Sequence, residues 1–171
     1  MDEFPAYRQP WRIERMLDRI RILLIDRGIA SRHHYVLEVR GRRSGLPRRT
    51  PVFLFSIEDT PYLVSPRGET HWARNLRASR ELGLRRGKEE LCFHAQEIGG
   101  AEKRFVLHNY LHHFGNVVER LFLIDRGGDP NLFWASACLH PTFRLLPATP
   151  PPTLSDDGRR RRAEPAPVTG A

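Results

Sequence analysis

Six short runs of β-branched, aromatic and aliphatic residues, each closed by turn chemistry, constrain what this chain can fold into. Tyr35 to Val39, Thr50 to Ile57 and Pro61 to Ser65 come first, with Glu58-Asp59-Thr60 punctuating the last pair. Glu81 to Arg85 and Glu90 to Ile98 flank Arg86-Gly87-Lys88, and Thr142 to Leu146 stands alone near the end. Between them the apolar period changes to that of a helix over Trp11 to Arg27, Thr70 to Arg77 and Ala101 to Phe114. Asn116 to Ile124 reads as a further helical turn or two. The pattern predicts an α+β, mainly β fold: a small barrel or rolled sheet with helical decoration.

The chain has 171 residues, enough for one domain with its own core. The predicted domain is 1–147. Residues 148–171 hold Pro150-Pro151-Pro152 and Arg159 to Arg162 with almost nothing apolar, so this tail is expected to be disordered. In the first helix Ile13, Met16, Leu17, Ile20, Leu23 and Leu24 share a stripe, and Gly28 marks its stop. Packing of that stripe on the sheet is the expected use. A weak contact with a membrane surface is the alternative for a basic amphipathic helix.

The formal net charge of +8 suits an anionic ligand, nucleic acid or an acidic membrane surface. Two cysteines, Cys92 and Cys138, make neither a framework nor a CxxC pair, and both are read as buried free thiols. The polar N-terminal stretch has no apolar signal region, and no apolar run reaches membrane-spanning length, so a cytoplasmic location is expected.

The segment that carries chemistry is Gly41-Arg42-Arg43-Ser44-Gly45-Leu46-Pro47-Arg48-Arg49-Thr50-Pro51. Glycines at both ends of Arg-Arg-Ser permit a tight turn whose N–H groups face one point. Arg42, Arg43, Arg48 and Arg49 add planar cations suited to phosphate and carboxylate oxygens. An anion cradle between two strands is the functional reading. A polar hairpin with solvated charges is the bland one.

This segment resembles the G-R-[KR]-[ST]-G-x-P-R-x-x-P motif of the deazaflavin-dependent nitroreductase family. Tyr62 to Ala78 is similar to that family's strand ending in Ser, its Gly-containing loop and its W-x-x-N-L-x-A helix, here Trp72-Ala73-Arg74-Asn75-Leu76-Arg77-Ala78. His140-Pro141-Thr142-Phe143-Arg144-Leu145 looks like the closing strand of one branch. The resemblance implies a split β-barrel that binds coenzyme F420, a deazaflavin with a phosphate and a polyglutamyl tail.

By that resemblance Arg42, Arg43 and Ser44 hold the phosphate and first carboxylates, while Arg48, Arg49, Thr50, Pro51 and Val52 run along the cofactor. Val64, Ser65, Pro66 and Arg67 line the next strand end, and His71, Trp72 and Asn75 close the pocket from the short helix. Arg43 stands where Lys is common in the family, and the Pro66 to His71 loop is shorter than usual.

The implied activity is hydride transfer from reduced F420 to an electron-poor acceptor such as a quinone, nitro compound or activated enone. Placement is then the protein's task, with backbone donors near Ser65 or a side-chain hydroxyl available to a developing oxyanion. The rivals are an FMN-dependent enzyme on the same barrel, a non-catalytic deazaflavin carrier, and a basic nucleic-acid-binding protein. No nucleic-acid motif appears, so nucleic acid is not the expected partner. A monomer and a homodimer both fit. Tyr110 reads either as substrate-facing or as a core aromatic, the second being the commoner use. His108 and His112 lie one turn apart without a third metal ligand, which reads as a solvated pair.

Overall fold

A computed structural model of the chain describes residues 12–118 and 137–148. Its elements are α1 (Arg12–Asp26), β1 (His34–Arg40), β2 (Pro47–Ile57), β3 (Thr60–Val64), α2 (His71–Ser79), β4 (Glu81–Arg86), β5 (Glu89–Glu97), α3 (Gly100–Val118) and β6 (Thr142–Pro147). The strands close into a barrel in the order β1-β2-β3-β6-β5-β4, with every neighbouring pair antiparallel. This is the mainly β split-barrel architecture expected, decorated by three α-helices among the described residues. No helix among the described residues is long and apolar enough to cross a membrane. The tail from residue 149 onward, Trp11 and the 119–124 part of the second helical reading lie outside the described residues.

Strand alternation builds two cores. Tyr35, Leu37, Val39, Val52, Leu63, Leu82, Leu84, Phe93, Phe143 and Leu145 point into the barrel. Trp72, Ala73 and Leu76 of α2 join the same cluster, with the Trp72 and Phe143 rings 6.0 Å apart, so α2 packs into the barrel core. The opposite faces of β2 and β3 present Phe55, Tyr62 and Val64 to Val106, Leu107, Tyr110 and Phe114 of α3. Tyr110 is 1% exposed there, with its ring edge-on to Phe55 at 5.9 Å, which settles it as a core aromatic.

Two expectations are corrected. The stripe of α1 does not lie on the sheet: Leu17, Ile20, Leu23 and Leu24 are 42%, 46%, 52% and 41% exposed. What fixes the helix is its other side. Ile25 is buried, its carbonyl accepts from Gly87 N–H at 3.0 Å, and Asp26 pairs with Arg49 and Arg85 at 2.7 and 3.2 Å. Nor are both thiols buried. Alternation turns Phe93 inward and leaves Cys92 half-buried, while Cys138 is exposed in the short turn Ala137–Leu139.

The register puts the ends of β1, β3 and β5 at Arg40, Val64 and Glu97, and the starts of β2, β4 and β6 at Pro47, Glu81 and Thr142, all at one end of the barrel. The β1–β2 turn, the 65–70 loop, α2 and His140 therefore gather at the same rim.

Candidate cofactor site at the barrel rim

The arginine motif is shorter as a loop than its composition suggests. Only Gly41 to Leu46 forms the turn, because Pro47, Arg48 and Arg49 already pair with Arg40, Val39 and Glu38. Gly41 N–H donates to Leu46 O at 2.9 Å and Gly45 N–H to Gly41 O at 2.7 Å. Gly45 sits at a φ of 66°, where glycine carries no steric penalty. A Cβ on Gly41 would lie 2.8 Å from Ser44 Oγ and 3.2 Å from Leu46 O, so a side chain there would displace the Ser44 hydroxyl and crowd the turn. Ser44 Oγ accepts from Leu46 N–H at 3.4 Å and closes the turn internally.

Early entry into β2 separates the arginines. Arg48 and Thr50 lie opposite Val39 and Leu37 and share the inward-facing side with Val52. Arg49 and Pro51 lie on the outer side, where Arg49 Nη2 donates to both carboxylate oxygens of Asp26 at 2.8 and 2.7 Å and Arg49 Nε lies 3.8 Å from Glu38. Arg49 is thus a tie between β2 and α1. Arg42 is turned toward α2: Asn75 Oδ1 accepts from its Nη1 at 3.0 Å and its backbone N–H at 3.3 Å. Arg43 and Arg48 have no carboxylate partner among the described residues. Those two guanidiniums, with Arg42 steadied beside them, make a cationic rim.

The second wall is the loop from Ser65 to Thr70. Ser65 is fully buried, its hydroxyl donates to Gly68 O at 2.7 Å, and Thr70 Oγ1 lies 2.9 Å away. Thr70 Oγ1 also accepts from Ala73 N–H at 3.3 Å, capping α2. Ser65 N–H is taken by Pro141 O at 2.9 Å. The hydroxyl of Ser65 is therefore spent within the loop and its N–H on Pro141, and neither is left to serve a reacting oxygen.

Beneath this loop lies His140, wholly buried, with Nδ1 3.3 Å from Ser65 O. Burial lowers its pKa to about 4, only partly offset by that backbone bond, so the ring is neutral and its Nδ1–H donates. Glu69, from the same loop, bonds Arg77 at 2.8 Å, and Arg77 reaches Glu97 at 2.6 Å. The Arg77 bond holds the Glu69 carboxyl below its usual range.

Val64 packs toward α3, so only its backbone borders the rim. Pro66 and Arg67 are half-buried, and His71 is exposed at the start of α2. Trp72 is in the barrel core and Asn75 is buried against Arg42. The structure thus gathers Arg42, Arg43, Ser44, Arg48, Thr50, Ser65, Pro66, Arg67, Trp72 and Asn75 at one rim, and separates Arg49, Pro51 and the side chain of Val64 from it. His140 as a support was missed, because a single histidine ahead of a strand leaves no periodic trace. His113 packs its ring 5.3 Å from His33, and no group of three His, Cys, Asp or Glu side chains is placed to hold a metal among the described residues.

The sequence model of the F420H(2)-dependent quinone reductase family matches residues 24–116. Among solved structures, an F420-H2 dependent reductase is 19% identical, covering 67% of this chain and 95% of its own with a TM-score of 0.50. A structure described as a domain-swapped dimer is 18% identical over 79% of this chain and 94% of its own, with a TM-score of 0.52. HutZ, the heme storage protein from Vibrio cholerae, is 14% identical over 81% and 92%, with a TM-score of 0.50. At these identities the likeness is one of fold. No curated protein matches the chain.

Proposed function

Because the chain belongs to the F420H(2)-dependent quinone reductase family, and is with it an F420-dependent oxidoreductase, we propose that it passes a hydride to a quinone held at the rim of the barrel. The observation that carries the reading is the pair of guanidiniums, Arg43 and Arg48, which have no carboxylate partner among the described residues and stand beside a steadied Arg42. Such a donor set fits a cofactor bearing a phosphate and several carboxylates. FMN offers one phosphate and makes less use of it.

Reduced F420, when bound, supplies the hydride. The chain supplies placement. Arg42, Arg43 and Arg48 bind the anionic arm, and Asn75 keeps Arg42 from swinging into solvent. Thr50 and Val52 continue the inner wall below Arg48. The Ser65 to Thr70 loop, closed by its own hydrogen bonds and propped by His140, forms the second wall, and the Trp72 side of α2 keeps water from the barrel core. Nitro compounds and activated enones present the same polarised acceptor and fall within the proposal.

Loss of the absorbance of reduced F420 on adding a water-soluble quinone tests the reading. Enzyme-dependent oxidation supports it. Tight binding without turnover would instead make the protein a carrier, and turnover with reduced FMN alone would shift the cofactor assignment.

A further inference from the structure

The Ser65 to Thr70 wall is held at one end by His140 and Pro141, which meet Ser65 O and Ser65 N–H at 3.3 and 2.9 Å. Its other end carries Glu69, which belongs to neither the arginine rim nor the core. Arg77, on the last turn of α2, holds that carboxylate: Nη1 and Nη2 donate to its two oxygens at 3.2 and 2.8 Å. The same guanidinium holds Glu97, with Nε and Nη2 donating to its two oxygens, both at 2.6 Å. Arg74 Nε stands 3.5 Å from Glu69, so two arginines balance two carboxylates.

Glu97 is the last residue of β5, opposite Phe143 of β6, and beside it Ile98 N–H donates to Thr142 O at 3.0 Å. The barrel ladder fixes that strand end, and Arg77 carries the fixed position to the loop. Helix spacing makes the reach possible. Thr70, Arg74 and Arg77 follow at i, i+4 and i+7, and long helical side chains lean toward the helix N-terminus, here toward the loop. Stability does not account for the arrangement. The Arg77, Glu69 and Glu97 side chains are 42%, 30% and 33% exposed, and pairs so open to solvent add little to folding. Orientation does: a planar fork that donates twice to each carboxylate fixes direction as well as distance, which an ammonium cannot. Between the two anchored ends only Pro66, Arg67 and Gly68 remain, so the ends decide where the wall stands.

We propose that Arg77 is a positioning residue for hydride transfer: by holding Glu69 against Glu97 it sets where the 65–70 wall stands, and with it the space in which the acceptor is held. The inference rests on the hydride-transfer reading above. Cofactor affinity in that reading comes from Arg43 and Arg48 on the β1–β2 side, so loss of Arg77 separates the two ligands. The acceptor is held less well and the cofactor nearly as before.

Turnover of reduced F420 with a water-soluble quinone, measured beside F420 titration of the full chain, reads that split. R77A should lower kcat/KM for the quinone roughly tenfold or more while Kd for F420 stays within about threefold. R77K keeps the charge without the fork and should recover only part of the loss. R77A/E69A removes the carboxylate that R77A exposes, and should match R77A alone, because both changes break one tie. Quinone turnover in R77A within about twofold of the parent overturns the proposal, as does F420 affinity that falls in step with turnover. Full recovery in R77K or in R77A/E69A also overturns it, since charge alone would then explain the defect, and so does an additive loss in the double variant.

Amide hydrogen exchange needs neither cofactor nor acceptor, so it tests the tie even if no quinone is reduced. Gly68 N–H and Thr70 N–H are bonded within the loop, to Ser65 O and Gly68 O at 3.2 and 2.8 Å. R77A should speed exchange at both roughly tenfold or more, and leave Leu37 in the barrel at the parent rate. Unchanged exchange in the loop, or equal acceleration at Leu37, overturns the positioning role.

Discussion

Arg42 and Asn75 meet at a single atom: Asn75 Oδ1 accepts from both the guanidinium and the backbone N–H of Arg42, at 3.0 and 3.3 Å. This bond ties the β1–β2 turn to α2 across the rim, so turn geometry and helix position rise and fall together. Removing the acceptor with N75A should cost about 1–2 kcal/mol of stability, because two donors lose their partner. N75D should keep the tie and the melting temperature, yet weaken cofactor binding by setting a carboxylate beside the anion site. Equal behaviour of the two variants in thermal melts would show that the tie contributes nothing.

Arg48 and Arg49 are neighbours in sequence and opposites in use. R43A and R48A should each weaken F420 binding by about 1.5–3 kcal/mol, the loss of a charge-assisted contact. R49A should leave affinity within about twofold and cost roughly 1 kcal/mol of stability, since its partner Asp26 is only partly shielded from solvent. Isothermal titration beside thermal melts separates the two effects. A large affinity loss in R49A with normal R48A would reverse the assignment of strand faces.

How much of this was legible in the sequence depends on what each pattern encodes. Alternation and turn chemistry located all six strands, because Glu58-Asp59 and Arg86-Gly87-Lys88 mark hairpins locally. The start of β2 was placed too late, since Pro47 and four clustered arginines read as loop until β1 is known to pair with them. That delay hid the split between Arg48 and Arg49. The period of α1 revealed a stripe but not what covers it: burial of Ile25 and the pairs made by Asp26 are tertiary facts. Thr70 heads the helical pattern of the sequence, whereas its bond with Ser65 is a contact of the folded loop.

His140 provides a pH signature. Its folded pKa, lowered by burial to about 4, lies below the unfolded value near 6.5, so the unfolded chain binds more protons between these limits. Stability should be full above about pH 6.5 and fall by about 3 kcal/mol as the pH drops to about 4. His33 and His34, also lowered by burial, add with the same sign. H140N and H140F should both remove His140's share of this slope; H140N, whose amide can still donate to Ser65 O, should retain the KM for cofactor, and H140F should raise it. An unchanged slope in both variants would remove His140 from the account.

The barrel closes with β6 at Pro147, and Ala148 N–H still reaches Cys92 O at 3.1 Å. A chain ending at Ala148 should therefore keep its melting temperature and its activity with a soluble quinone. The composition beyond that residue offers almost nothing apolar to bury. A drop of several degrees would place part of that segment in the fold.

The proposed selection of the anionic arm of F420 by the arginine rim is read out by equilibrium fluorescence titration. The full-length chain is titrated with F420 carrying its glutamyl tail, with the same deazaflavin lacking the tail, and with FMN. Affinity should fall in that order, with the tail's advantage shrinking at high salt and in R43A/R48A. Tighter binding of FMN than of F420, or a tail advantage that survives in R43A/R48A, would contradict it.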